Sequence, residues 1–588
     1  MQTADRSKIG QPASPVPDRS RRWAWAGLAA VLFGGLALRL WGVRQGLPYA
    51  FNTDESDHFV PVAVKMFADG SLNPRYFANP PAFTYALHLL FAVYYGGGAG
   101  ARQALALHPE SVYTLARVSA AALGTAALWL LYATGARLFS RGVGLLAAAI
   151  EAVAFLPVFY AHLALNDVPT LAPLTLSLLG AAGVMRKGRA RDYVLAGVGL
   201  GLACASKYTA GIAVVPLVAA IAARHLDAGG SAGRRTLGGV ALAGAAALFA
   251  FVIANPYALL DYQRFHAELV HQSTQSAEAQ GKLGAPRDGG LAYYLRSLTW
   301  GLGWVPALAA LGGALAIWRS SPRLGWLLVP APLLFLAFMG LQGRYFGRWL
   351  MPILPVLCLL AAFFALQVGA AVVRLGRPRR AVRVAVAALI VAALLVQGAV
   401  YSVHSGLVLS RADTRNLTRD WMLAHIPPGA RIVVEPVAPD EWAHETHAGT
   451  STAGNPPRWK KYASMLSRIS PSGALLPTTT KVGIENYVRT LAPTLIGYYE
   501  SNGYCWVVSG STQSGRAFAD PGAVPHAIAY YRALARQAEV VYRGSPYARG
   551  KGLVAFGFDW SFDYYPLAYS RPGPQMTVYR LRGGRCRG

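Results

Sequence analysis

The chain has 588 residues, of which 54% are hydrophobic and only 14% charged. Its apolar residues come in long blocks instead of the narrow stripes of a soluble core, which excludes an ordinary soluble globular protein. The 55 Lys and Arg against 27 Asp and Glu leave a formal charge of +28, but much of that excess sits in short Arg-rich turns between apolar blocks, where it reads as a topology signal and not as a nucleic-acid surface.

The first residues are polar and Pro-rich, and 1–22 read as a disordered cytoplasmic tail. Arg19, Arg21 and Arg22 precede an apolar run from Trp23 to Leu40 with no small-residue cleavage site after it, which predicts a retained first span and not a signal peptide. Apolar segments of about spanning length then recur near 112–136, 142–161, 168–185, 192–206, 208–223, 236–254, 296–318, 323–341, 346–368 and 383–402. The expected fold class is a polytopic α-helical membrane protein with about 11 transmembrane helices over 23–409. With the N-terminus inside, the turns around Arg137, Arg186 to Arg191, Arg224 to Arg235, Arg319 and Arg374 to Arg383 all fall on one side. That side is cytoplasmic by the excess of positive charge, and the protein is expected in the cell membrane.

The opposite side receives a long first loop at 44–111, the turn from His162 to Asp167, the point at Lys207, a loop at 255–295, the turn from Gln342 to Tyr345 and everything after about Ser402. In the first loop, Asp54 to Asp69 reads as an amphipathic helix, and Pro81 to Tyr95 as a second, more apolar one, both lying along the membrane surface. After Ser410 the composition turns soluble. Helices are expected at Asp413 to His425 and Val524 to Ala538, and strands at Arg431 to Val437, Tyr504 to Ser509, Glu539 to Tyr542 and Met576 to Leu581. These predict a small extracytoplasmic α/β domain over 410–588, with the Pro- and Gly-rich stretch 436–483 as a long loop. Cys204 and Cys358 fall inside apolar blocks, while Cys505 and Cys586 lie where a disulfide is permitted by compartment; no metal-ligand spacing occurs.

Candidates for chemistry lie on that same side. Asn52-Thr53-Asp54-Glu55-Ser56-Asp57-His58 opens the first surface helix. Asn52 and Glu55 fit a capping box, but three carboxylates in four residues exceed what a cap needs, and one positioned acid can serve as a general base. Asp167 stands at the outer end of the third span, where it could also cap the helix that begins at Val168-Pro169. Glu151 lies deeper in the same span and is left out of the site. Lys207 interrupts an apolar stretch, where an ammonium could either snorkel or meet a lipid phosphate. Arg344 and Arg348 bring guanidinium groups of bidentate phosphate geometry, and with Lys207 they would form a cationic pocket facing the carboxylates.

Over roughly residues 20–425 these features resemble the GT-C membrane glycosyltransferases of the family 39 type, which include the protein O-mannosyltransferases and the lipid A aminoarabinose transferases. The resemblance rests on Asp54-Glu55, Asn79-Pro80-Pro81, Arg117, Ala164-Leu165-Asn166-Asp167-Val168-Pro169, Ser206-Lys207-Tyr208, and Arg344-Tyr345 through Arg348. It implies a GT-C fold and an inverting transfer of a monosaccharide from a polyprenyl-phosphate donor to a protein, glycan or lipid acceptor, with no obligatory cofactor or metal and no nucleic acid partner. It further implies Asp54 as catalytic base, Glu55 in support, Asp167 as the second acid, and substrate contacts from His58, Asn79, Lys207, Tyr208, Arg344, Tyr345 and Arg348. The chain departs from the aminoarabinose transferases in having Asp57 where they carry an Arg, and from many members in having Asn79 before the Pro pair, which shifts phosphate contacts toward Lys207, Arg344, Arg348 or Arg75. Two other readings are a secondary transporter, which predicts internal repeats and midplane polar residues, and a non-catalytic scaffold displaying the C-terminal domain. The clustering of polar residues at one face favours neither.

Overall fold

The computed structural model describes residues 18–228, 232–277, 283–285, 289–376, 379–447, 455–463, 467–469, 475–477 and 482–587, apart from 552–553, 555 and 559–564. Most of the expected tail therefore lies outside the described residues. Among them, eight helices are long and apolar enough to cross a membrane: Arg22–Leu40, Pro109–Leu138, Tyr208–Leu226, Thr236–Ala254, Gly289–Ser320, Pro322–Gly340, Gly347–Arg374 and Arg380–His425. The chain is a multi-pass membrane protein.

The three other segments expected to span form shorter helices, so the count of eleven does not stand on length. The segment 142–161 is broken into Arg141–Val153 and Phe155–Tyr160, while Leu171–Arg186 and Ala190–Ser206 have 16 and 17 residues. Pro157 explains the break, because it has no N–H for the Val153 carbonyl, which accepts instead from Ser402 Oγ at 2.8 Å. Arg39, fully buried in the first helix, donates to the Ala152 and Glu151 carbonyls at 3.1 and 3.3 Å, satisfying the same frayed turn. Gly124 makes room for that guanidinium, since a Cβ there would stand 3.3 Å from Arg39 Nε. The helix Ala190–Ser206 packs closely through small residues: a Cβ on Gly197 or Gly201 would overlap the carbonyl oxygen of Ala243 or Ala247 on the neighbouring helix.

In the first loop a π-helical turn, Glu55–Phe59, runs into the helix Val60–Ala68, and Ala82–Tyr94 follows, as the apolar pattern predicts. Gly98–Leu107 and the polar helix Tyr262–Ala277 were not expected, because neither carries a clear apolar stripe.

The C-terminal region is an α/β unit. Strands β1 (Arg431–Val434), β2 (Lys460–Lys461), β5 (Tyr504–Gly510), β6 (Glu539–Gly544) and β7 (Met576–Arg580) form one sheet in the order β2-β1-β5-β7-β6, with β3 (Ser467–Ile469) and β4 (Leu475–Pro477) as a separate hairpin. The parallel strands are β2, β1 and β5. Val433 packs with Tyr487, Tyr499 and Leu534 on one face, and Ile432 and Val434 pack with Met422, Trp442 and Trp459 on the other. Both faces are covered, which is why β1 reads as an unbroken apolar run. Strand β2 and the β3–β4 hairpin fall within the stretch expected to be a loop; strands of two or three residues are too short to show alternation. Cys505 and Cys586 are joined by a disulfide.

This unit sits on the first loop. Asn416 Nδ2 donates to the Gly46 carbonyl at 2.9 Å, and the Arg415 and Arg419 guanidinium groups lie 3.5 and 5.6 Å from the Phe51 and Tyr49 ring centres.

Candidate active site

Asn52 caps the first-loop turn, its Oδ1 accepting from the Asp54 and Glu55 amides at 3.0 and 3.2 Å. The expected return bond of a capping box is not made, because Glu55 turns inward. Its carboxylate is fully buried and paired in bidentate fashion with Arg117, both bonds at 2.7 Å, and also accepts from the Ala164 amide at 2.8 Å. Arg117 reaches further, donating to the Val43 and Gln45 carbonyls at 3.0 and 2.8 Å. One buried ion pair thus ties the exit of the first span, the second span, the first-loop turn and the turn that carries Asp167. Arg117 is the residue that reasoning from local sequence leaves without a role; a charge inside an apolar block was the available signal.

Asp54, one residue earlier on the same turn, points the other way and meets Arg348 Nη2 at 2.8 Å. Arg348 Nε lies 3.8 Å from Asp167, and Lys207 Nζ forms an ion pair with the other oxygen of Asp167. Four charges from four distant segments therefore form one chain, Asp54–Arg348–Asp167–Lys207. Each member is placed by neighbours. Asn166 Nδ2 donates to the Ser206 carbonyl at 2.6 Å, setting the turn before Lys207 beside the turn that holds Asp167. The Arg348 guanidinium lies 4.7 Å from the Phe346 ring centre and 5.9 Å from that of Tyr160. Each cation is set by a short 3-10 turn: Tyr208–Ala213 starts directly after Lys207, and Gly347–Ile353 has Arg348 as its second residue.

Exposure separates the two acids. The Asp54 side chain is 34% exposed and that of Asp167 only 3%. Asp54 is the carboxylate that an incoming molecule can touch, while Asp167 is a buried counter-charge to two cations.

The other expected residues divide. His58 stacks on Tyr76, ring centres 4.3 Å apart, and Tyr76 accepts from Asn79 Nδ2 at 2.7 Å, so His58 and Asn79 share one polar wall beside Asp54. Burial, and next the charge of Asp54, push the Tyr76 hydroxyl up, keeping it protonated. Tyr208 donates to the Phe77 carbonyl at 2.9 Å, closing that wall onto the Lys207 turn. Arg344 is directed elsewhere, bonding Gln275 Oε1 at 3.1 Å and, through its amide, the Ser276 carbonyl. Tyr345 packs on Tyr293 with ring centres 4.6 Å apart. The expected pocket of three cations opposite the acids is thus corrected in its layout: two of them, Lys207 and Arg348, are interleaved with the acids, and Arg344 bonds the Tyr262–Ala277 helix.

Comparison with known proteins bears on this arrangement. Residues 101–258 match the family described as dolichyl-phosphate-mannose-protein mannosyltransferase, a segment that contains Arg117, Asp167, Lys207 and Tyr208. The fold matches the oligosaccharyltransferase AglB of Archaeoglobus fulgidus, solved with an inhibitory peptide and a dolichol-phosphate, with a TM-score of 0.51 at 13% identity, over 90% of this chain and 74% of that one. The apo form of the A. fulgidus oligosaccharyltransferase gives a TM-score of 0.50 at 14% identity, over 92% and 75%. The chain has the GT-C fold. ArnT from Cupriavidus metallidurans, bound to undecaprenyl phosphate, aligns over 96% of this chain and 98% of its own at 13% identity, with a TM-score of 0.47. No curated protein sequence matches the chain. In this GT-C chain the first-loop acid and Arg348 fall outside the family match, and geometry alone joins them to the Asp167 and Lys207 that lie within it.

Proposed function

We propose that the protein is an inverting glycosyltransferase that moves a monosaccharide from a polyprenyl-phosphate donor to an acceptor hydroxyl or amine on the extracytoplasmic face of the cell membrane. The observation that carries this reading is the four-charge chain, with its one accessible carboxylate at one end and Lys207 at the other. Lys207 and Arg348 hold the donor phosphate, and Asp54 faces the acceptor. The acceptor oxygen or nitrogen bonds to the anomeric carbon as the bond from that carbon to the phosphate oxygen breaks. Asp54 takes the acceptor proton, and polyprenyl phosphate leaves with the bonding pair. The two cations and two carboxylates sum to zero charge, so the phosphate binds by sharing Arg348 with Asp54, which frees that carboxylate toward the acceptor. Asp167 and Glu55 position the cations and the turn, and His58, Asn79 and Tyr208 line the sugar side.

Undecaprenyl phosphate titrated into the purified protein tests the donor half. Binding by wild type and weakening of about 10- to 100-fold in Lys207→Met are expected. Equal affinity in the two proteins, with Lys207→Met folded as judged by its melting temperature, removes Lys207 from the phosphate site; no binding to wild type rejects the donor.

A further inference from the structure

A cavity of about 1440 Å³ lies between the first-loop turn and the C-terminal sheet. One wall is Asn52, Thr53, Ser56, Asp57 and His58, the residues that flank Asp54 and Glu55 on the first-loop turn, and His58 joins this wall to the catalytic charges through its stack on Tyr76. The opposite wall includes residues that directly follow the three parallel strands: Pro436 to Glu441 after β1, Tyr462 after β2, and Thr512 and Gln513 after β5. This is the carboxyl edge of the parallel part of an open α/β sheet, the edge where such sheets form ligand crevices. The crevice is held by Glu435, which accepts from Ser509 Oγ, the Gly510 amide and Tyr531 hydroxyl at 2.9, 2.8 and 2.7 Å, locking the end of β1 to the end of β5.

We propose that this cavity is the acceptor site and that its occupant is an oligosaccharide chain, an inference that rests on the glycosyl-transfer reading above. Its volume exceeds the roughly 300–1,000 Å³ of pockets for single small molecules, which fits a ligand of several linked units. The lining offers carboxylate, hydroxyl and amide groups from Asp57, Glu441, Ser56, Thr512 and Gln513 beside the Tyr113 and Tyr462 rings, a mixture that bonds hydroxyls and stacks on sugar faces. Of the five lining cations, Lys65, Arg102, Arg415, Lys461 and Arg516, two are paired, Lys461 with Asp440 at 2.6 Å and Arg415 with Asp413 at 2.7 Å, which reduces the positive charge of the upper wall. A peptide bound by strand addition would need a sheet edge for main-chain pairing. The edge strand at the cavity, β2, has two residues, and the other edge strand, β6, does not line it. The turn 52–58, which borders this cavity and carries the Asp54 that pairs with Arg348, is then where the end of the glycan meets the donor.

The test uses the full-length protein in lipid nanodiscs over immobilised oligosaccharides of about three to eight units, spanning hexose, pentose, amino-sugar and uronate chains. Unstructured peptides form a parallel set, and undecaprenyl phosphate binding is measured alongside. Retention on at least one oligosaccharide class is expected, falling about tenfold or more in Thr512→Trp, which fills the crevice, and in Glu441→Ala, while both variants bind undecaprenyl phosphate within about twofold of wild type. Retention on peptides only, on nothing, or on oligosaccharides but unchanged in both variants overturns the inference. Oligosaccharide binding without undecaprenyl phosphate binding overturns the donor reading and leaves the glycan site standing.

Discussion

The Glu55–Arg117 pair allows a quantitative forecast. Both side chains are fully buried, with two mutual bonds at 2.7 Å, and three backbone groups depend on them: the Val43 and Gln45 carbonyls and the Ala164 amide. Glu55→Gln keeps the shape but leaves the guanidinium without a counter-charge and places an amide NH₂ against it, a change that costs about 3–5 kcal/mol in comparable buried pairs. Arg117→Met leaves the Glu55 charge buried and two carbonyls unbonded, at about 1–3 kcal/mol for each carbonyl on top of the charge term. In the double variant Glu55→Gln, Arg117→Met the charge term disappears, and only the unbonded backbone groups remain. The double variant is therefore more stable than the sum of the singles, with a coupling of about 2 kcal/mol or more. Thermal unfolding of the purified proteins in one detergent, followed by tryptophan fluorescence, reads this as a double variant that melts no lower than the worse single. Because Glu55 holds Ala164 three residues before Asp167, each single variant also loses turnover more than donor-lipid affinity. Strictly additive melting shifts, or a Glu55→Gln protein indistinguishable from wild type, refute the reasoning.

Two further outcomes follow from buried polar groups elsewhere. Burial pushes the Glu435 carboxyl up to about 7 against the pull of its three hydrogen bonds. Its folded value lies above its unfolded one, so the native state binds the extra proton: the contribution is complete below about pH 4.5 and is lost as pH rises through 7, about 3 kcal/mol in all. The C-terminal unit should accordingly melt higher at pH 5 than at pH 8, and Glu435→Gln should flatten that slope; a slope unchanged by the substitution contradicts the assignment. Arg39→Met strips the Glu151 and Ala152 carbonyls of their donor at the helix break, at about 1–3 kcal/mol for each. Slower amide exchange or unchanged exchange at 152–156 in that variant contradicts the account of the break.

Much of this was legible in the sequence, for identifiable reasons. Apolar runs locate helices because a span must bury its length in lipid, and Arg-rich turns mark their ends, so each expected segment from 23–43 to 383–402 coincides with helix. Length alone was misleading where the chain breaks. Ala154 and Pro157 sit in an unbroken apolar run, and the groups that repair the break, Arg39 and Ser402, come from 113 and 249 residues away. Lys207 and Asp167 stood out as charges at span ends. That they pair with each other, and that Arg348 bridges Asp167 to Asp54 across 294 residues of sequence, is a property of packing that no local pattern carries. Arg344 and Arg348 look equivalent in sequence, yet the 3-10 turn beginning at Gly347 carries Arg348 to the acids while Arg344, before it, bonds Gln275. Glu55 looks like half of a capping box until Arg117 appears beside it.

The central claim, that Asp54 is the base of a glycosyl transfer, is tested most directly by turnover of purified Asp54→Asn with a polyprenyl-phosphate sugar donor. Asn keeps the size of the side chain, and the helix cap at Asn52 does not depend on the Asp54 carboxylate. Removing that charge also releases Arg348 from a 2.8 Å ion pair, so undecaprenyl phosphate should bind as well as to wild type or better. The account predicts intact lipid binding with turnover lower by about 10²–10⁴-fold. Turnover within about twofold of wild type, in a protein that binds the lipid normally, contradicts it.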